Sequence, residues 1–247
     1  KKIAFTGGEE GGRKVNIAGA ADFKKVTLEL GGKSANIVFD DADLDQALNG
    51  VISGIFAASG QTCIAGSRLL LQDSIHDEFV DRLVEIAKTA QLGNPMSEDT
   101  QIAPIATEPQ YRKILAYIDI AKAEGARCVL GGGPGEAAGK HQGLFVLPTI
   151  FVDVNNGMRI AQEEVFGPVL SVIRFKDEAE AIAIANDVDY GLAAGVWSKS
   201  LDRAINVSER LQAGTVWVNT YRSTSYTSPF GGYKSSGLGR ENGQEAI

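Results

Sequence analysis

The chain has 247 residues, with 24 Lys and Arg against 31 Asp and Glu, a formal net charge of −7, and 44% hydrophobic residues. This balance disfavours nucleic acid and anionic membrane surfaces as partners, and no apolar run reaches the roughly 18 to 20 residues of a bilayer span. Two cysteines, Cys63 and Cys128, form no disulfide framework and point to a reducing cytoplasm, while two histidines, His76 and His141, with no Cys/His cluster beside them predict no metal site.

In chain order, Ile3-Ala4-Phe5 reads as a short strand opening into the glycine turn TGGEEGG, which either brings backbone N–H groups to a pyrophosphate or merely reverses the chain. A start in mid-sheet suggests a piece of a longer protein. Val26, Leu28 and Leu30 then alternate with Thr27 and Glu29 as in a strand, Gly31-Gly32 interrupts, and Ile37-Val38-Phe39 resumes. Glu29 therefore points away from the face that carries the three aliphatic residues. From Asp41 the apolar positions Leu44, Ala47, Leu48, Val51, Ile52, Ile55 and Phe56 fall three and four apart, which predicts a helix with Asp40 or Asp41 as N-cap and Gly60 as terminator. Cys63 follows its end. Ile75 to Ala87 and Tyr111 to Ala121 repeat the helical spacing, the latter ending near Gly125.

Strand patterns follow at 128–130, 145–147, 169–175, 195–197 and 215–219, with helices over 177–186 and 200–211. The run GGGPGEAAGKH at 131–141 lacks the G-x-G-x-x-G spacing and reads as a surface turn. Alternating strands and helices predict an α/β fold with a mostly parallel sheet flanked by helices.

Two residues stand out chemically. Cys63, in FAASGQTCIAGSR, has small neighbours that leave a nucleophilic sulfur open to an electrophile; the same cysteine beside Ile64 and Ala65 also suits a packed core. Glu29 ends an apolar strand before a Gly-Gly break, a place where α/β proteins set functional groups, though a solvated edge residue fits there as well. Glu164, in QEEVFGPVLSV, would alone be a helix-end charge, and Cys128 reads as structural.

Taken together, these stretches resemble the aldehyde dehydrogenase superfamily along nearly the whole chain. LELGGKS (28–34) resembles its glutamate signature and FAASGQTCIAGSR (56–68) its cysteine signature. EEVFGPV (163–169), YGLAAGVWS (190–198), AGTVWVN (213–219) and SPFGGYKSSGLGRENG (228–243) are similar to further family blocks, in the family's order.

The resemblance implies NAD- or NADP-dependent oxidation of a small aldehyde. Cys63 would form a thiohemiacetal, with its own backbone N–H facing the oxyanion; hydride loss would leave a thioester, and Glu29 would activate the water that hydrolyses it. Glu164 would hold the nicotinamide ribose, Phe166 would pack beside the nicotinamide, Leu30 and Gly31 would touch its carboxamide side, and Phe230 would line the aldehyde pocket. Gly7 and Gly8 would belong to the pyrophosphate turn. Gly8 and Gly11 replace the serine and the aliphatic residue usual there, so the turn is expected to grip less well. Length departs further, because the family's first half has no counterpart here. Residues 1–28 are expected to be a remnant of a Rossmann-like cofactor domain, 29–218 the catalytic domain and 219–247 a return segment. The fragment is expected to turn over weakly, and the full-length protein to form a homo-oligomer. A cofactor-independent thiol esterase and a non-catalytic scaffold of the same fold are the alternatives; hydrolytic release is placed ahead of transfer to CoA because Glu29 is present.

Overall fold

The computed structural model describes residues 1–137 and 143–244. His141 and part of the expected 131–141 turn lie outside them; within them, 131–137 carries one isolated bridge, Pro134 with Val146, and no helix or strand.

The chain builds two sheets of unequal size. In the smaller, β1 (Lys2–Thr6) runs parallel to β2 (Lys25–Glu29), and β12 (Gly237–Leu238) pairs antiparallel to β2 on its other side. Helix α1 (Glu9–Ala20) connects β1 to β2. The sequence reading placed no helix over these residues; of its two readings of the glycine turn, a helix start fits the one that brings N–H groups to a phosphate. Three glycines make Glu9–Ala20 a poor helix by propensity, yet two of them, Gly12 and Gly19, are buried where a Cβ would strike Leu30 and Val26. Close packing on the sheet thus overrides the local preference.

The larger sheet holds seven strands in the order β10 (Thr215–Val218), β9 (Ala193–Trp197), β3 (Ala35–Val38), β4 (Arg68–Gln72), β7 (Val169–Phe175), β6 (Thr149–Val152) and β5 (Arg127–Leu130). Every neighbouring pair is parallel except β5 with β6. A two-residue pair, β8 (Tyr190–Gly191) with β11 (Tyr233–Lys234), lies apart. The α/β class and the mostly parallel sheet are as the alternation of elements predicts.

Because side chains alternate along a strand, the large sheet separates two cores. Leu69 and Leu71 of β4 face one, filled from α2 (Leu44–Phe56) by Leu48, Val51 and Ile55 and from α3 (His76–Ala87) by Phe79 and Leu83. Leu70 faces the other, filled from α4 (Glu108–Ala123) by Ile114 and Ile118, from α6 (Glu178–Asn186) by Ile182 and from α7 (Leu201–Arg210) by Val207. Leu69, Leu70 and Leu71 are fully buried, and each such side chain contributes about 2 to 3 kcal/mol.

Several local expectations need correction. The N-cap of α2 is Asp43, whose Oδ1 accepts from the Gln46 N–H at 3.2 Å. Asp41 is engaged elsewhere, accepting from Ser198 Oγ, the Ser200 N–H and Arg203. Residues 145–147 form only the single bridge to Pro134; the strand comes after Pro148, over Thr149–Val152. Strand β4 and the short helix α5 (Arg159–Gln162) were not expected at all.

The topology sets the site. Glu29 is the last residue of β2, Gly31 and Gly32 lead into β3, Cys63 lies shortly before β4, and Glu164 and Phe166 precede β7. The carboxyl end of the small sheet therefore meets the amino ends of the central strands of the large one.

Candidate active site

Cys63 is positioned by an unusual stretch of backbone. Ala58, Ser59 and Gly60 all adopt left-handed φ values, 52°, 54° and 68°, a conformation that costs non-glycine residues about 1 to 2 kcal/mol each. Buried Ser59 fixes the stretch, its Oγ donating to the Ala103 carbonyl at 2.7 Å and accepting from the Ala103 N–H at 3.0 Å. At Gly60 a side chain is impossible, since its Cβ would fall on the Gly167 carbonyl. Gln61 completes the anchorage by accepting from the Ala106 N–H at 3.0 Å.

The two glycines of the glutamate signature are the joint between loops. A Cβ on Gly32 would meet the Cys63 carbonyl oxygen, and one on Gly31 would lie 2.7 Å from Glu164 Oε2. Glycine is required here for close approach rather than for positive φ. With both side chains absent, three loops converge and Glu29 reaches Cys63: the thiol donates to Glu29 Oε1 at 3.0 Å. The other carboxylate oxygen accepts from Thr6 Oγ1 at 3.5 Å, a long contact.

Burial pushes the Cys63 thiol up to about 12, and the hydrogen bond and negative charge of Glu29 act in the same direction. The backbone N–H groups of Ile64 and Cys63 oppose them weakly. The sulfur thus rests as a protonated thiol held by a carboxylate. A low-pKa thiolate would need the opposite surroundings.

A cleft of about 590 Å³ adjoins the pair, lined by Thr6, Gly7, Gly8, Leu30, Gly31, Gln61, Thr62, Cys63, Gln110, Lys113, Glu164 and Phe166. Glu164 Oε1 accepts the Gly32 N–H at 3.0 Å. Burial raises the Glu164 carboxyl above its ordinary range, against the pull of that N–H, Lys113 and Lys33. Its neighbour Glu163 faces away, bonded to Tyr117 and Arg159, and the Arg159 hydrogen bond holds it down at about 2. Phe166 is left-handed at φ 59° and is clamped by Gln110 Nε2, which donates to the Val165 and Phe166 carbonyls at 2.8 and 3.0 Å. Lys33, from the same LELGGKS segment, is fully buried, and burial, reinforced by Arg68, lowers its ammonium to about 7.

The structure therefore brings together Cys63, Glu29, Gly7, Gly8, Leu30, Gly31, Glu164 and Phe166. Phe230 is not in this cleft. It lines a second cavity of about 410 Å³ with Trp217 and Ser223. The sequence reading missed Thr6, Gln61, Gln110 and Lys113. The polar face of an amphipathic helix carries Gln110 and Lys113, and nothing in the spacing distinguishes them from solvated residues. Among the described residues no group of His, Cys, Asp and Glu could hold a metal ion, and no helix is long and apolar enough to cross a membrane.

Comparison with known proteins bears directly on this geometry. The family model described as the aldehyde dehydrogenase family matches residues 1–247. An aldehyde dehydrogenase of Emericella nidulans is 51% identical over 247 residues, which are 100% of this chain and 49% of that protein. A betaine aldehyde dehydrogenase of Brucella melitensis is 47% identical over 246 residues, 100% of this chain and 50% of that protein. Among solved structures, a point mutant of betaine aldehyde dehydrogenase from Staphylococcus aureus, in complex with NAD+ and with a BME-modified cysteine, gives a TM-score of 0.96 at 44% identity, covering 99% of this chain and 50% of that one. An aldehyde dehydrogenase mutant from Bacillus cereus gives 0.96 at 43% identity, covering 100% of this chain and 49% of that one. The chain spans about half the length of the curated relatives it matches. With the family model matched from end to end and the cysteine and glutamate signatures meeting at one cleft, the chain belongs to the aldehyde dehydrogenase family.

Proposed function

We propose that these residues supply the nucleophile, the base and one wall of the cofactor site for oxidation of an aldehyde to a carboxylic acid with NAD+ or NADP+. The observation that carries this reading is the 3.0 Å hydrogen bond from the Cys63 thiol to Glu29, on the wall of a cleft large enough for part of a dinucleotide.

The cleft suits the cofactor's chemistry. Leu30 and Phe166 offer apolar surface for a nicotinamide ring, and Glu164 keeps Oε2 available for ribose hydroxyls while Oε1 is held by Gly32. Gly7 and Gly8 lead into the N-terminus of α1, where no side chain caps the helix, and free N–H groups at a helix start favour phosphate. Glu9 and Glu10 in its first turn oppose that attraction. When bound, the nicotinamide supplies the hydride acceptor that takes the Cys63 hemiacetal to the thioester level.

The chain's own residues perform the remaining steps. Glu29 Oε1 takes the thiol proton as Sγ bonds to the carbonyl carbon, so the raised thiol pKa is overcome only when the electrophile is present. The carbonyl electron pair moves to oxygen, to which the N–H of Cys63 donates. Glu29 passes that proton to solvent and then removes one from water, whose oxygen adds to the thioester carbon; as the carbonyl reforms the C–S bond breaks, Glu29 returns the proton to Sγ, and the acid leaves. Residues 1–28 and 219–247 are read as serving the cofactor side and 29–218 as the catalytic part; the pairing of β1 and β2 with β12 in one small sheet supports this division.

A cofactor-free thiol esterase reading rests on the same dyad, which is complete within the chain. Purified residues 1–247 should hydrolyse p-nitrophenyl acetate, with loss in Cys63→Ala, and should form NADH from aldehydes slowly, below the ~1 s⁻¹ low end of ordinary turnover. Ester hydrolysis unchanged in Cys63→Ala overturns the proposed nucleophile. Turnover with NAD+ at ordinary rates overturns only the expectation of weak activity.

A further inference from the structure

Lys33, from the LELGGKS segment, and Arg68, the first residue of β4, line a small cavity together with Ala185, Asn186, Tyr190 and Gln212. Its volume of about 20 Å³ is room for one water-sized particle. Lys33 lines this cavity and not the dinucleotide cleft.

Two enclosed cations therefore stand side by side. Each is 1% exposed, and Arg68 Nε donates to the Lys33 carbonyl at 3.0 Å. Arg68 gives its remaining bonds to neutral acceptors, the Ile184 and Ala185 carbonyls and Asn156 Oδ1. The Lys33 ammonium makes no hydrogen bond or ion pair to another described residue. No residue on the cavity lining is acidic. Burial works hardest against the Lys33 charge, and Arg68 and Lys113 act in the same sense; Glu164 and Glu163 offset them only in part, which leaves Lys33 at about 7. Asp187 is the carboxylate that favours Arg68, against a larger effect of burial. Buried charges are costly without an opposite charge or a full set of hydrogen bonds.

The missing counter-charge has a way in. The cavity meets the surface at half-buried Asn186 and Tyr190 and at exposed Gln212. The Asn186 amide is committed, accepting from the Gln212 N–H at 2.8 Å and donating to the Arg210 carbonyl at 2.9 Å. The Gln212 side-chain amide is bonded to no described residue and can donate inward. A water molecule there would accept hydrogen bonds but leave the charge, whereas a polyatomic anion such as phosphate exceeds the space.

We infer that Lys33, Arg68 and Gln212 form a binding site for one small monovalent anion of halide size, such as chloride. The site is separate from the chemistry at Cys63 and does not depend on it. An anion held there keeps Lys33 charged next to Gly32, whose N–H positions Glu164.

The test uses the 247-residue chain. Crystals grown at pH 6 in sodium bromide should show an anomalous bromine peak between Lys33 and Arg68. In solution, ³⁵Cl line broadening in sodium chloride should be displaced by bromide and should fall about tenfold in Lys33→Met, which keeps the apolar stem and removes one charged donor. The anion and the Lys33 proton bind together, so native affinity should also fall about tenfold from pH 6 to pH 8 as the ammonium titrates near 7. Should Lys33→Met fail to fold, the bromide peak in the native chain decides alone. Solvent density without anomalous signal between Lys33 and Arg68, or line broadening unchanged by Lys33→Met, overturns the inference.

Discussion

Replacing Glu29 by Gln should move two properties of Cys63 in opposite directions. In the native chain the thiol is pushed up to about 12 by burial, with Glu29 adding to the effect. At pH 7.5 the thiolate fraction is then on the order of 10⁻⁴·⁵, against about 10⁻¹ for an unperturbed thiol of pKa ~8.5. A Brønsted slope of ~0.4 to 0.5 returns roughly 25- to 55-fold through the greater nucleophilicity of the more basic thiolate. Alkylation by iodoacetamide should therefore run about 10²-fold slower than that of an unperturbed cysteine thiol in a short peptide and rise nearly tenfold per pH unit up to pH ~10. Glu29→Gln removes the negative charge and the accepting carboxylate but not the burial, so alkylation at pH 7.5 should accelerate while staying slower than the free thiol. Ester hydrolysis should fall by about 10² to 10⁴ in the same variant, because the general base is gone. Measuring both rates in a Cys128→Ala background isolates Cys63. A native profile flat between pH 7 and 9, or alkylation unchanged by Glu29→Gln, would refute the coupling of sulfur and carboxylate.

Other substitutions probe the frame around the pair. Gly31→Ala places a methyl 2.7 Å from Glu164 Oε2; NAD+ binding by calorimetry should weaken about tenfold, the loss of one charged hydrogen bond, and ester hydrolysis should fall with it, since the glycine joint brings Glu29 to Cys63. Gly60→Ala, at φ 68° with its Cβ on the Gly167 carbonyl, should lower both the urea midpoint and ester hydrolysis, since the strained turn carries Cys63. Buried Arg68 donates to the Lys33, Ile184 and Ala185 carbonyls and to Asn156 Oδ1. Arg68→Met should cost roughly 3 to 5 kcal/mol in urea unfolding, because these acceptors are left without donors; a loss below about 1 kcal/mol would contradict that role.

Long periodic segments were legible in the sequence because their burial is one-sided. The 44–56 and 111–121 spacings became α2 and α4. Segments buried on both faces hid: Arg-Leu-Leu-Leu-Gln of β4 has no alternation to read, and its leading arginine reads as surface although it is enclosed by carbonyls. Helix α1 hid because its glycines serve tertiary contact. The choice of Asp43 over Asp41 as N-cap depended on Ser198 and Arg203, far along the chain. At the site, Cys63 and Glu29 were individually ambiguous, and only family resemblance paired them. Their contact depends on the glycine joint at Gly31 and Gly32 and on the left-handed turn at Ala58–Gly60, neither of which has a periodic signature.

The most direct test is intact-mass analysis of the native chain and Glu29→Gln during reaction with p-nitrophenyl acetate. If Glu29 activates the water that releases the acyl group from Cys63, the variant should accumulate one acetyl group, mapped by peptide digestion to Cys63, and lose it far more slowly than the native chain. An acetyl group on another residue, or equal rates of loss in the two proteins, would contradict the assignment of nucleophile and base.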